Sequence, residues 1–212
     1  MTLLLALDTS TRIASAAVHD GENVLSETTW LAGREHSARL LLEAEAALQR
    51  IGHSPRDVTG LAVASGPGSF TGVRVGLSVA KGMAAALSVP LWGVSTLDVM
   101  ACAAVQADLP VRVVLEAGRG RFATALYTAG TCVEPPRLAT FEQLMALLTE
   151  PTLVLGELTP QARTALGELA HLKVATPAAG LRRAGFVAEL ALARMRSGDP
   201  GNPHAVDAVY IS

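Results

Sequence analysis

Two short stretches of this 212-residue chain combine residue types that could do chemistry. The first is Asp8-Thr9-Ser10-Thr11, directly after an apolar run. A carboxylate and hydroxyls at the mouth of a hairpin can meet a nucleotide's phosphates, provided glycine lets backbone N–H groups approach the anion. The glycine position here is Ser10. The structural reading is that Asp8 and the hydroxyls cap a tight turn. The second stretch is Gly66-Pro67-Gly68-Ser69-Phe70-Thr71-Gly72-Val73-Arg74-Val75-Gly76. It lacks the G-x-x-x-x-G-K-[ST] spacing of a phosphate-binding P-loop. It also places no serine in the G-x-S-x-G register of a nucleophile elbow. What remains is a strand, a glycine turn and a helix N-terminus. That geometry either binds an anion or makes a rigid turn capped by Ser69 or Thr71. The nucleotide-proximal candidates are therefore Asp8, Gly66, Gly68 and Ser69.

The helix beginning in the second stretch carries more glycine than a helix favours. Gly72, Gly76, Ala80 and Ala84 recur every four residues and form one stripe of small side chains. Each interior glycine costs about 1 kcal/mol against alanine. Such a stripe lets another backbone come close, either a neighbouring subunit or the chain's own sheet. Val75, Val79 and Met83 continue apolar on another face, so the helix is expected to be buried on more than one side.

Other reactive types lead less far. His36 has Leu40 at i+4, not a second ligand, so no helical zinc pair forms; it caps the helix or contacts a partner. Glu43 and Glu45 lie two apart on a helix and do not face each other. Cys102 and Cys132 form no C-x-x-C pattern, which argues against a disulfide scaffold or a thiolate zinc site and suits a reducing compartment. A net charge of −2 does not announce a nucleic-acid binder. The start, MTLLLALD, lacks the basic region of a signal peptide. The longest apolar tract, around 82–97, contains Pro90 and falls short of the ~18 uninterrupted residues of a membrane span. A soluble, cytoplasmic protein is expected.

The elements that would position these residues begin with strands at Leu3–Asp8, Ile13–His19 and Val24–Trp30, with Asp20-Gly21 as a hairpin turn. Helix His36–Ile51, strand Gly60–Ser65, helix Thr71–Ser88, strand Leu91–Val94 and a third helix from Asp98 follow. This order, β-β-β-α-β-α-β-α, matches the repeating half of the actin, hexokinase and Hsp70 ATPase fold. The second half is less regular. Strands are expected at Val111–Leu115, Phe122–Tyr127 and Thr152–Leu155, and helices at Phe141–Leu148, Pro160–Leu169 and Gly185–Ser197, with Val209–Ile211 closing the chain. The expected fold class is α/β, an actin-like ATPase (ribonuclease H-like) fold in two βββαβαβα-type domains, the second shortened. The expected division is 1–106 and 107–212, with no repeat at the level of residues.

Four segments together resemble a known family. They are Leu5-Ala6-Leu7-Asp8-Thr9-Ser10, Arg34-Glu35-His36-Ser37, the stretch Gly66–Gly76, and Gly93-Val94-Ser95-Thr96-Leu97. In this order and spacing they look like the non-catalytic bacterial members of the Kae1/TsaD family. GPGSFTGVR is the specific motif, and the likeness is strong over the first hundred residues. The ending Ala208-Val209-Tyr210-Ile211 resembles the family's closing Pro-Val-Tyr-Leu and suggests a nearly complete chain. Two departures stand out: Leu115-Glu116-Ala117-Gly118 replaces a strand ending Asp-Ala-Arg, and Ser212 stands where a terminal Arg would follow.

The resemblance implies a subunit needed to form N6-threonylcarbamoyladenosine beside the anticodon of tRNAs reading codons that begin with A. It implies a heterodimer with the catalytic paralogue TsaD, joined by the ATPase TsaE, a homodimer when alone, and tRNA contact only through the complex. No cofactor is implied for the isolated chain, with ATP or ADP at the subunit interface as the exception. The paralogue's metal-binding His-x-x-x-His positions fall on Thr96 and Met100, so neither a metal site nor a catalytic residue is expected. The implied partner interface comprises His36, Leu40, Gly72, Val73, Arg74, Gly76, Ala80 and Met83, on the two helices 36–51 and 71–88. The rival readings are an ATP-dependent kinase or hydrolase of the actin–hexokinase superfamily, and a metallopeptidase, for which no ligand set is present.

Overall fold

The computed structural model describes residues 2–32 and 36–211, with side chains in the first helix from Ala38 onward. The first half runs β1 (Leu4–Asp8), β2 (Ile13–His19), β3 (Val24–Leu31), α1 (His36–Gln49), β4 (Gly60–Gly66), α2 (Phe70–Leu87), β5 (Leu91–Ser95) and α3 (Thr96–Cys102). The second half runs β6 (Val111–Glu116), β7 (Arg121–Thr128), β8 (Thr131–Thr140), α4 (Phe141–Ala146), β9 (Thr152–Glu157), α5 (Pro160–Gly167), β10 (Leu172–Val174) and α6 (Ala184–Arg196).

The two sheets have one topology. Sheet 1 has the order β3-β2-β1-β4-β5, and sheet 2, taken in the same sense, β8-β7-β6-β9-β10. In each, the first three strands pair antiparallel and the last two add in parallel. This is the duplicated α/β unit of the actin-like ATPase fold. The duplication lives in the backbone path and not in matching residues.

Strand β1 shows why its sequence is apolar without alternation. Leu3, Leu5 and Leu7 pack with α1 and α2 residues such as Leu40, Ala44, Val73 and Leu77 on one face of sheet 1. Leu4 and Ala6 pack on the other face with Ala184, Val187, Ala188 and Leu192 of α6. A strand buried on both sides reads as a continuous hydrophobic run. In sheet 2, Val114, Phe122 and Val154 pack with Leu144 of α4 and Ala162 and Leu166 of α5.

Two strands were not expected from the sequence. β8 contains Pro135-Pro136, which argues against a strand interior, but β8 is a sheet edge, where proline is tolerated. β10 has only three residues, too few for a pattern.

The division at 106/107 also needs correction. One compact unit comprises Met1–Val99 with Arg182–Val209, the other Met100–Leu181 with Tyr210–Ser212. The reason is α6, whose buried residues Ala184, Val187, Ala188, Ala191 and Leu192 cover the open face of sheet 1. The expected second domain therefore gives its last helix to the first unit.

Candidate functional site

The β1–β2 hairpin is closed by its own chain. Asp8 Oδ2 accepts from Arg182 Nε at 2.8 Å, while Oδ1 accepts from the Ser10 N–H at 2.7 Å and from Ser10 Oγ at 2.5 Å. Thr96 Oγ1 donates to Ser10 Oγ at 2.9 Å. Arg182 Nη2 donates to Thr11 Oγ1 at 3.0 Å and to the Ile13 carbonyl at 2.9 Å. Asp8, Ser10, Thr96 and Arg182 are all fully buried. A buried ion pair is tolerable only when further hydrogen bonds satisfy both partners, and these do so.

The glycine turn leans on the same hairpin. Ser69 N–H donates to the Ser10 carbonyl at 2.6 Å, and Thr9 Oγ1 donates to the Gly72 carbonyl at 2.7 Å. A Cβ at Gly68 would run into the Ser10 carbonyl, and one at Gly72 into the Thr9 carbonyl. At Gly76 it would lie 2.5 Å from Thr9 Oγ1. Gly66 has φ +106°, which L side chains rarely adopt, and its missing Cβ faces the Val209 carbonyl at 2.5 Å. Ser69 caps α2, its Oγ accepting from Gly72 N–H at 3.3 Å.

Asp8, Gly66, Gly68 and Ser69 are thus brought together, but they do not fit a magnesium nucleotide. The Asp8 carboxylate is spent on Arg182 and Ser10, the Ser69 amide is spent on Ser10, and the cradle face of Gly68 is filled by Ser10.

The small-residue stripe is corrected in the same stroke. Gly72, Val73, Gly76 and Ala80 of α2 are buried in the chain itself, as is Leu40 of α1. Met83 is half-buried against the same core. Leu40, Gly72, Val73, Gly76 and Ala80 face inward, where Thr9, Val63 and their neighbours occupy the room the glycines leave, and Met83 alone of these is partly exposed. Arg74 is exposed, with its guanidinium carbon 3.8 Å from the centroid of the Phe70 ring. Arg34 and Glu35 lie outside the described residues, as does the side chain of His36.

The outward face of α2 instead presents Thr71, Val75, Ser78 and Gly82, flanked by Val79, Ala85 and Ala86. Phe70, Thr71, Arg74, Val75, Ser78 and Val79 line a shallow furrow of about 350 Å³. Phe70 is 57 % exposed, and on α1 Leu41 and Leu42 are 45 % and 66 % exposed. A Cβ at Gly82 would meet nothing within 4 Å. So a glycine sits in an exposed helix interior with no steric reason inside the chain. The sequence contained this second small stripe, Ser78-Gly82-Ala85-Ala86, but only the packing of Thr9 tells which stripe faces inward.

Thr96 and Met100 are both buried. Among the described residues no group of three His, Cys, Asp or Glu side chains could hold a metal ion, and no helix is long and apolar enough to cross a membrane. The unusual 116–121 loop is a tight turn, with Arg119 at φ +54° between Gly118 and Gly120 and with Glu116, Arg119 and Arg121 exposed.

Fold and hairpin together define a member of the actin-like ATPase fold whose first phosphate-type loop is packed shut. The chain belongs to the TsaD family, whose model, described as tRNA N6-adenosine threonylcarbamoyltransferase, matches residues 29–178. Within that family it is similar to the tRNA threonylcarbamoyladenosine biosynthesis protein TsaB of Bacillus subtilis (strain 168), with 33 % identity over 124 residues, 58 % of this chain and 54 % of that protein. The TsaB of Escherichia coli (strain K12) is 42 % identical over 98 residues, 46 % of this chain and 42 % of that protein. The chain thus spans about half the length of these curated relatives. A crystal structure from Pseudomonas aeruginosa, described as similar to peptidase YEAZ, covers 100 % of both chains with a TM-score of 0.82 at 24 % identity. At that identity the likeness speaks for the fold.

Proposed function

We propose that this chain is a non-catalytic, partner-binding subunit in N6-threonylcarbamoyladenosine formation beside the anticodon of ANN-decoding tRNAs. It docks and activates the TsaD transferase through the outward faces of α1 and α2, forms a homodimer through the same faces when alone, and meets TsaE and tRNA in the full complex. No cofactor serves the isolated chain, and a bound ATP or ADP belongs to the interface of the complex. The observation that carries this reading is the pairing of a closed hairpin with an open, glycine-containing helix face. Exposed Phe70 adds apolar area to that face, Leu41 and Leu42 are exposed on α1, and Gly82 leaves room for a second helix to approach.

The test is co-purification with the host's TsaD homologue, followed by reconstituted tRNA modification. Gly82→Leu places a bulky side chain on the docking face without touching the chain's own core, and the expected result is a roughly tenfold or greater loss of TsaD affinity. Full affinity and full tRNA modification with Gly82→Leu would show the face to be misplaced. The rival kinase or hydrolase reading is separated by calorimetry of the isolated chain with magnesium and ATP. Tight binding there supports the rival.

A further inference from the structure

The two sheets share one strand order, so the β1–β2 hairpin has a counterpart in sheet 2, the β6–β7 hairpin. The two are built alike. A carboxylate ends the first strand, Asp8 in one and Glu116 in the other, and four residues, 9–12 and 117–120, lead to the next strand. The position two residues after the carboxylate, where close approach of an anion calls for glycine, holds Ser10 in the first hairpin and Gly118 in the second.

They differ in what is already spent. In the first hairpin Asp8 and Ser10 are buried and bonded to Arg182 and Thr96. In the second, Glu116, Gly118, Arg119, Gly120 and Arg121 are all exposed. That turn closes through Ala117 N–H to the Arg121 carbonyl at 2.8 Å and Arg121 N–H to the Gly118 carbonyl at 3.1 Å. Among the described residues, the N–H groups of Gly118, Arg119 and Gly120 have no partner and neither guanidinium is ion-paired. A Cβ at Gly118 or Gly120 would meet nothing within 4 Å, so the space beside this backbone is open. Gly118, Arg119 and Gly120 have φ of +74°, +54° and +69°. The tip thus carries a cation in a conformation that glycine or asparagine adopts more readily.

We propose that the β6–β7 hairpin is a binding site for one phosphate group, held by the unbonded N–H groups of residues 118–120 and by the guanidinium groups of Arg119 and Arg121. Guanidinium forks match phosphate oxygens in charge and geometry, and glycine on either side of Arg119 lets the oxygens reach the main chain. Two arginines against Glu116 leave the turn at a net charge of +1, so the site is weak and takes one phosphate rather than a whole nucleotide. That phosphate belongs to the tRNA backbone or to a nucleotide.

The first test is an amide NMR titration of the full-length chain with inorganic phosphate at constant ionic strength. The amides of Gly118, Arg119 and Gly120 should shift together and saturate. Arg119→Ala combined with Arg121→Ala should weaken that binding about tenfold. The urea unfolding midpoint should stay unchanged, since both side chains are exposed. The second test separates the two sources in the reconstituted complex, and its tRNA arm rests on the proposed function. With the double variant, tRNA binding weaker by about three- to tenfold and a salt slope lower by about one to two mark a backbone phosphodiester. Weaker ATP or ADP binding with unchanged tRNA binding marks a nucleotide phosphate. TsaD affinity is read beside both and should not change, so a failed docking face and a failed phosphate site show as different losses. The absence of a saturable phosphate shift overturns the proposal. So does an adventitious ion only, meaning phosphate bound by the isolated chain while tRNA and nucleotide binding both ignore the double variant.

Discussion

Asp8 and Arg182 are 174 residues apart and meet in a space with no water access. Removing one member of a buried pair strands the other charge. Arg182→Ala is therefore expected to lower unfolding stability by about 3–5 kcal/mol, read from urea denaturation at pH 7. The double substitution Asp8→Asn with Arg182→Met should be milder than Arg182→Ala, because no uncompensated charge remains. A second ionic site is open to pH. The hydrogen bond from Arg112 holds the Glu134 carboxyl below its ordinary value, with the Arg112 and Arg137 charges acting the same way against the opposing effect of burial. A carboxyl lowered in the folded state stabilises above its unfolded value, about 4.3, and loses that contribution as pH falls through the folded value. Glu134→Gln should accordingly flatten the acid limb of the stability profile below about pH 4.5, leaving the profile from pH 6 to 8 parallel to that of the unaltered chain. At this scale the sequence showed the hydroxyls and Asp8 but gave no hint of Arg182. An ion pair spanning the chain leaves no local spacing to read.

Helix α2 separates the environments of Gly76 and Gly82 by about a third of a turn. Gly76 faces Thr9 Oγ1, so Gly76→Ala forces Thr9 away from its bond to the Gly72 carbonyl, and a destabilisation of about 1–3 kcal/mol is expected in thermal or urea unfolding. Gly82 faces open space, so Gly82→Ala should stabilise the isolated chain by up to about 1 kcal/mol through helix propensity alone. The same substitution should weaken TsaD binding under the proposed function, and this opposite movement of stability and affinity marks a docking face. The helices were legible because burial on one face leaves a period in the sequence, and inner strands such as β1 because burial on both faces leaves a continuous apolar run. Which side of a nearly all-apolar helix faced inward was not, since both stripes carry small residues. The prolines of β8 hid an edge strand for a similar reason: an edge strand need not donate on both sides.

At the scale of the whole molecule, sequence order and compactness part company. The βββαβαβα order was visible and implied two successive domains, yet α6 closes the far face of sheet 1. That exchange left no trace in local pattern, because an amphipathic helix does not specify which sheet it covers. It does have a consequence for cutting the chain. A fragment of residues 1–106 retains α1 and α2 but exposes Leu4, Ala6, Ala17, Ala62, Ala64 and Val94 on the face that α6 covers. It also leaves Asp8 buried without Arg182. An uncovered apolar sheet face and an unpaired carboxylate each oppose folding. The fragment is expected to aggregate or to show the poorly dispersed amide NMR spectrum of an unfolded chain. Adding a peptide of residues 180–209, which supplies both α6 and Arg182, should restore dispersion in a saturable way, whereas the same peptide carrying Arg182→Ala should need a concentration at least tenfold higher. A well-dispersed spectrum from the 1–106 fragment alone would mean that sheet 1 is self-sufficient and that α6 is an accessory to it.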